Sequence, residues 1–265
     1  MTDSEFETLT LERRDGHVLV VRIDRSASPL NAVDDQLHHE LAELMALLKH
    51  EREARCIVLA GSGSAFSAGG DYHWFPSLQE PGRLEHLRQE GKSLIWDMLD
   101  VQIPIVAAVN GHAMGLGASI ALLCDIVFVA ESALIGDPHV DIGVVAGDGG
   151  TVIWPLAVGP ARAKHYLLTG EPVDAVEAHR IGLANFVCGD DDCVERAIEY
   201  ATRLAAKAPM AVQYTKLAIN KLLKDAANSA FDVATALEIV TFHSDDHREA
   251  LDAMAQKRPP VFTNR

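Results

Sequence analysis

Three stretches of the 265-residue sequence gather residue types that can do chemistry. Two are glycine-rich: Ser67-Ala68-Gly69-Gly70-Asp71, and Asn110-Gly111-His112-Ala113-Met114-Gly115-Leu116-Gly117. Glycine has no Cβ, so such loops can approach a ligand closely and turn backbone N–H groups toward it. Two amides converging on one carbonyl oxygen stabilise the negative charge that develops there, each donor commonly being worth about 2.7–4 kcal/mol. The third stretch runs from Asp137 to Asp148 and contains His139, Asp141 and Asp148. A histidine titrates near neutrality and can act as general acid or base. An aspartate in an apolar pocket can be pushed into the same range. Asp148 has a second open role, as the cap of a helix over 151–156. Ser119 reads as a small pocket residue, because no His/Asp pattern is visible to activate it as a nucleophile.

These loops need elements to hold them. Phe6–Arg13 and His17–Ile23 are β-rich and separated by Asp15-Gly16, a hairpin signal. Apolar residues at helical spacing predict a helix within Val33–Glu53. The short apolar run Arg55–Ala60 then reads as a buried strand ahead of the first glycine loop. The pattern repeats with a helix over Leu84–Leu99, a strand at Ile105–Val109 and the second loop. A helix over Ala118–Leu123 and a strand at Asp125–Ala130 follow. Repeated strand and helix units of this kind predict an α/β fold with mostly parallel pairing. Glycine loops between strands and helix starts are then the expected ligand side. Beyond about residue 190 the chain turns alanine- and leucine-rich. Val194–Ala206, Ala211–Leu223, Ala226–Phe242 and 243–257 read as helices, ended by Pro259-Pro260.

Composition narrows the partners. The chain carries 23 basic and 38 acidic residues, a net charge of −15. That argues against nucleic-acid and membrane-surface binding, both of which need a basic footprint. No apolar run reaches the ~20 residues of a membrane span. The four cysteines, Cys56, Cys124, Cys188 and Cys193, form no C-x-x-C pair and no zinc-spaced cluster, so no metal site is expected. The acidic stretch MTDSEFETLT lacks a signal-peptide core, and a reducing cytoplasm is the expected location.

The ordered motifs resemble those of the crotonase superfamily of enoyl-CoA hydratases and isomerases over nearly the whole chain. They are Pro29-Leu30-Asn31-Ala32, Phe66 to Asp71, Val109 to Gly117, Cys124-Asp125-Ile126, Gly149-Gly150-Thr151, Leu168-Thr169-Gly170, Gly182-Leu183 and Lys257-Arg258-Pro259. The resemblance implies a spiral of ββα units over 1–190 and a helical trimerisation region over 191–265. It also implies a homotrimer or dimer of trimers, and an acyl-CoA substrate. By motif position, the N–H groups of Gly70 and Leu116 would form the oxyanion hole. Pro29, Asn31 and Ala32 would lie along the pantetheine side, with Ala68, Gly69 and Asp71 near the adenine. Lys257 and Arg258 are the best local cations for the coenzyme A phosphates. Coenzyme A would enter as part of the substrate, with no tightly bound cofactor.

The chain departs from the hydratases of that family at one point. Where they carry two glutamates that deliver water, this sequence has Ser119 and His139. Simple hydration of an enoyl thioester loses its paired carboxylates. The expected activity is enolate chemistry on an acyl-CoA, with His139 and/or Asp148 as acid/base. The alternative from a different class is a catalytically silent acyl-CoA-binding protein.

Overall fold

A computed structural model describes residues 6–265 of the chain. The start of the acidic amino-terminal stretch, residues 1–5, lies outside the described residues.

Strands β1 (Leu9–Arg14) and β2 (Val18–Ile23) form the predicted hairpin. Helix α1 (Asp35–Leu48) begins later than periodicity alone suggests. Val33 is held in a parallel bridge to Gly70, and Asp34 caps the helix by accepting the Leu37 N–H at 3.0 Å. Strands β3 (Cys56–Gly61) and β4 (Ala65–Ser67) follow, then helix α2 (Arg83–Asp100). The second unit supplies β5 (Ile105–Val109), β6 (His112–Met114) and α3 (Leu116–Leu123). The third supplies β7 (Ile126–Ala130), β8 (Leu134–Gly136) and α4 (Gly150–Val158).

Two sheets result. One runs in the order β1-β2-β3-β5-β7-β10, where β10 is Phe186–Cys188, and is parallel after the hairpin. The other orders β4-β6-β8-β9, where β9 is Val173–Asp174. Each successive unit therefore adds one strand to each sheet, so the chain coils as a spiral. The second sheet was not legible in the sequence, because strands of two or three residues carry no periodicity. Helices α5 (Pro160–Thr169) and α6 (Ala175–Ile181) connect β8 to the last strands.

The strands of the first sheet read as continuous apolar runs because they are covered on both faces. All six residues of β3 and all five of β5 are buried. Leu37, Leu41, Leu44 and Leu48 of α1 pack into the same core, and each buried leucine contributes roughly 1.5–3 kcal/mol. The four cysteines are buried free thiols.

The carboxyl-terminal region is helical, with α7 (Cys193–Ala205), α8 (Pro209–Phe242) and α9 (Asp245–Ala255). The two helices expected over 211–223 and 226–242 are one continuous helix of 34 residues. Nothing in Lys224-Asp225 breaks a helix, and α8 is anchored along its length. Lys216 pairs with Asp125 at 2.7 Å, Asn220 donates to the Leu99 carbonyl at 2.9 Å, and Phe231 meets Trp96 edge to face. The far half of α8 contributes Phe231, Thr235, Glu238 and Phe242 to the wall of a cavity. Among the described residues no helix is long and apolar enough to cross a membrane.

Candidate active site

Parallel pairing of β4 with β6 sets the two glycine loops side by side, with Ser67 opposite Ala113. Gly69 has a φ of +79°, and a Cβ there would sit 2.8 Å from the Met114 carbonyl oxygen. Gly115, at φ +53° and ψ −122°, turns the chain into α3. That geometry leaves the Gly70 and Leu116 N–H groups on the wall of one cavity of about 470 Å³. The loop bonds run from Val33 N–H to the Gly69 carbonyl at 2.7 Å and from Asp71 N–H to the Val33 carbonyl at 2.8 Å. Among the described residues neither Gly70 N–H nor Leu116 N–H has an acceptor. Leu116 is the first residue of α3, two positions earlier than expected, so its N–H also carries the positive end of the helix.

The same cavity holds the acid/base candidates, with the His139 ring beside Gly115. His139 opens a short 3-10 turn after β8, and its Nδ1 hydrogen-bonds the buried Asp137 carboxylate. Its Nε2 lies 3.4 Å from Asp148 Oδ2. Ser119, fully buried on α3, donates its hydroxyl to Asp148 Oδ1 at 3.1 Å. The Gly150 N–H also points to Asp148. The cap position of α4 is Gly149, so Asp148 does not occupy the capping role left open for it, although it receives the first helical N–H.

Burial alone would push the His139 pKa down, but Asp137 and Asp148 outweigh it and hold the imidazole well above its ordinary value. Burial likewise opposes ionisation of Asp148. Its pairing with His139 and its hydrogen bonds from Ser119 and Gly150 hold it below its ordinary value. The pair is therefore imidazolium and carboxylate at neutral pH. Asp137, His139 and Asp148 each offer a ligand-type atom, all within 4.8 Å of one another, a juxtaposition that sequence spacing did not suggest.

Of the residues singled out in the sequence, Ala68, Gly69, Gly70, Leu116, His139, Asp141 and Asp148 line the cavity. Ser119 stands behind it, acting on Asp148. Asn31 is buried, and its side chain donates to the Ser62 and Ala65 carbonyls, both at 3.0 Å. It holds the loops rather than facing a ligand. Asp71 is engaged by Arg25 at 2.7 Å, and the same guanidinium holds Asp34 and the Ala32 carbonyl. Pro29 is exposed and Ala32 partly so, neither on the cavity wall. Lys257 is exposed, just beyond Met254, which does line the cavity. His73 is exposed; Trp74 and Phe75 line the cavity, consistent with a packing role.

Sequence reasoning missed three residues that shape the site. Asp137 was visible only as part of the Asp-Pro-His run. Arg25 ties α1 to the first glycine loop across 46 positions of sequence. Glu238, set between Leu237 and Ile239 on α8, reaches the cavity from the far end of the chain; the one signal was a carboxylate in an apolar run.

A two-sheet spiral with paired glycine loops under a helical cover defines a crotonase-superfamily fold. The family model described as enoyl-CoA hydratase/isomerase matches residues 13–265, and the chain belongs to that family. The mitochondrial enoyl-CoA hydratase of Pongo abelii is 30% identical, covering 98% of this chain and 89% of its own length. The crystal structure of an enoyl-CoA hydratase/isomerase from Mycobacterium paratuberculosis superposes with a TM-score of 0.89 at 38% identity, covering 94% of this chain and 99% of that one. A beta-diketone hydrolase from the cyanobacterium Anabaena, bound to (S)-3-oxocyclohexyl acetic acid, gives 0.85 at 30% identity, covering 90% and 95%. The chain is thus an enzyme of the enoyl-CoA hydratase/isomerase type.

Proposed function

We propose that this enzyme binds an acyl group as its coenzyme A thioester and forms the enolate of that thioester. The Gly70 and Leu116 N–H groups receive the enolate oxygen. Asp148 accepts the proton from the carbon next to the thioester carbonyl, and the His139 imidazolium returns one to the product. Asp137 keeps His139 charged and oriented, and Ser119 fixes Asp148. Coenzyme A enters with the substrate and leaves with the product.

The observation that carries this reading is that two acceptor-free amides and the His139–Asp148 pair line one cavity. The site has one proton-carrying unit instead of the two glutamates of family hydratases. That suits double-bond isomerisation or C–C cleavage at an enolate better than addition of water to an enoyl group. The likeness to a beta-diketone hydrolase points the same way.

The deciding experiment follows exchange of the α-protons of butyryl-CoA in heavy water by NMR. Exchange in the wild type, lost in Asp148→Asn, is the expected result. Binding without exchange would make the protein a silent binder and overturn the assignment.

We also infer a trimer built through the carboxyl-terminal helices. The outer face of α8 exposes Tyr214, Leu222, Leu237 and Val240, at 56, 69, 52 and 66% of their surface. Exposed apolar surface of this extent marks an interface. Sedimentation should give a trimer or hexamer, and Leu222→Glu should shift it toward monomer.

A further inference from the structure

Glu238 is a cavity carboxyl that the mechanism above does not use. It approaches from α8, and a Cβ on Gly147 would lie 2.3 Å from its Oε2, so the carboxyl rests against the backbone immediately before Asp148. Among the described residues its side chain has no hydrogen bond or ion pair. Its neighbours on the wall are mostly apolar: Phe231, Ile239 and Phe242, with Thr235 one turn away on α8. Trp74 lines the same cavity and leaves its buried indole N–H without an acceptor. Among the described residues the Trp74 N–H and the Glu238 carboxyl are thus both without a partner.

We propose that Glu238 is a specificity-determining donor, and that the substrates are acyl thioesters bearing a carbonyl oxygen on the acyl chain. This deepens the thioester reading and rests on it. A carboxyl group can donate only while it keeps its proton. Burial favours the neutral form of Glu238, the nearby Asp148 and Asp137 charges add to it, and His139 opposes it only in part. The result is a pKa pushed up to about 8. A neutral acid in an apolar site is a hydrogen-bond donor of fixed direction, as in other enolising enzymes that keep a carboxylic acid protonated. A purely hydrocarbon acyl chain would leave that donor unsatisfied and lose affinity accordingly. An oxo group placed against it would satisfy it.

Calorimetric binding of hexanoyl-CoA, set against its 3-, 4- and 5-oxo derivatives, tests the assignment. One oxo isomer should bind about two- to tenfold more tightly than hexanoyl-CoA, the range of one net hydrogen bond. In Glu238→Leu that ratio should fall to about one, and in Glu238→Gln, whose amide still donates, part of it should persist. No preference in the wild type, or a preference that survives Glu238→Leu, would overturn the role of Glu238 while leaving thioester binding intact. Absence of binding by every thioester would instead overturn the thioester reading, and this inference with it.

Discussion

The imidazole Nε2 of His139 lies 3.4 Å from Oδ2 of Asp148, and each group holds the other in its charged form. Burial disfavours the charged form of each, and the partner offsets it. The pair is thus a unit. His139→Ala and Asp148→Asn should each slow α-proton exchange by about 10²–10⁴-fold. Because residues of one unit are not additive, the double variant should be no slower than the worse single one. Exchange rates by NMR, with circular dichroism as a folding control, check this.

The charge on His139 depends on Asp137, whose other oxygen is buried without a partner. Asp137→Asn removes the largest attraction that raises the His139 pKa, leaving burial to lower it. Activity needs Asp148 ionised and His139 protonated, so the wild-type rate should hold a plateau across neutral pH. In Asp137→Asn the alkaline limb should move to lower pH while the acid limb stays. A pH–rate profile reads the difference directly, and an unmoved alkaline limb would remove Asp137 from this role.

Family members often carry alanine at the position of Gly70. Here a Cβ would lie 2.5 Å from Cζ and 2.7 Å from Cε1 of Phe75. Phe75 in turn packs against Phe242 and His247, with ring centres 6.1 and 5.9 Å away. Gly70→Ala keeps the N–H donor but forces Phe75 out, at a cost of about 1–3 kcal/mol. It should lower stability and raise KM, and adding Phe75→Leu should recover much of both. Thermal melts and steady-state kinetics on the two singles and the double form the cycle that isolates the contact.

Glu238 should shape stability against pH. Its folded pKa of about 8 lies above the ordinary 4.5, so the folded state holds a proton that the unfolded state releases between those values. The sign is then negative: stability falls as pH rises from 4.5 to 8, by at most about 1.4 kcal/mol per unit, and levels off above. Glu238→Gln removes this dependence. Its melting temperature, relative to wild type, should therefore climb between pH 5 and pH 9; a constant offset would mean that Glu238 titrates normally.

Much of the site was legible before any coordinates. The runs Arg55–Ala60 and Ile105–Val109 are apolar throughout because both faces of the sheet are covered, and they match β3 and β5 within a residue at each end. The glycine loops announced themselves because Gly69 and Gly115 adopt backbone angles, φ +79° and +53°, that other residues resist. His139 and Asp148 stood out as titratable residues in an otherwise apolar stretch.

Other features had no local signal. The second sheet exists only because β4, β6, β8 and β9 find one another across the spiral, and none is longer than three residues. The expected break in α8 did not occur, since Lys224 pairs with Asp100 across the helix interface and nothing local stops the helix. Residue types and local backbone demands thus determined the glycine loops, the central strands and the presence of an acid/base pair. The tertiary structure decided which charges meet: Asp137 behind His139, Ser119 behind Asp148, and Glu238 brought in from α8. Charge states in a buried site depend on distance and dehydration, and the sequence encodes both only through the completed fold.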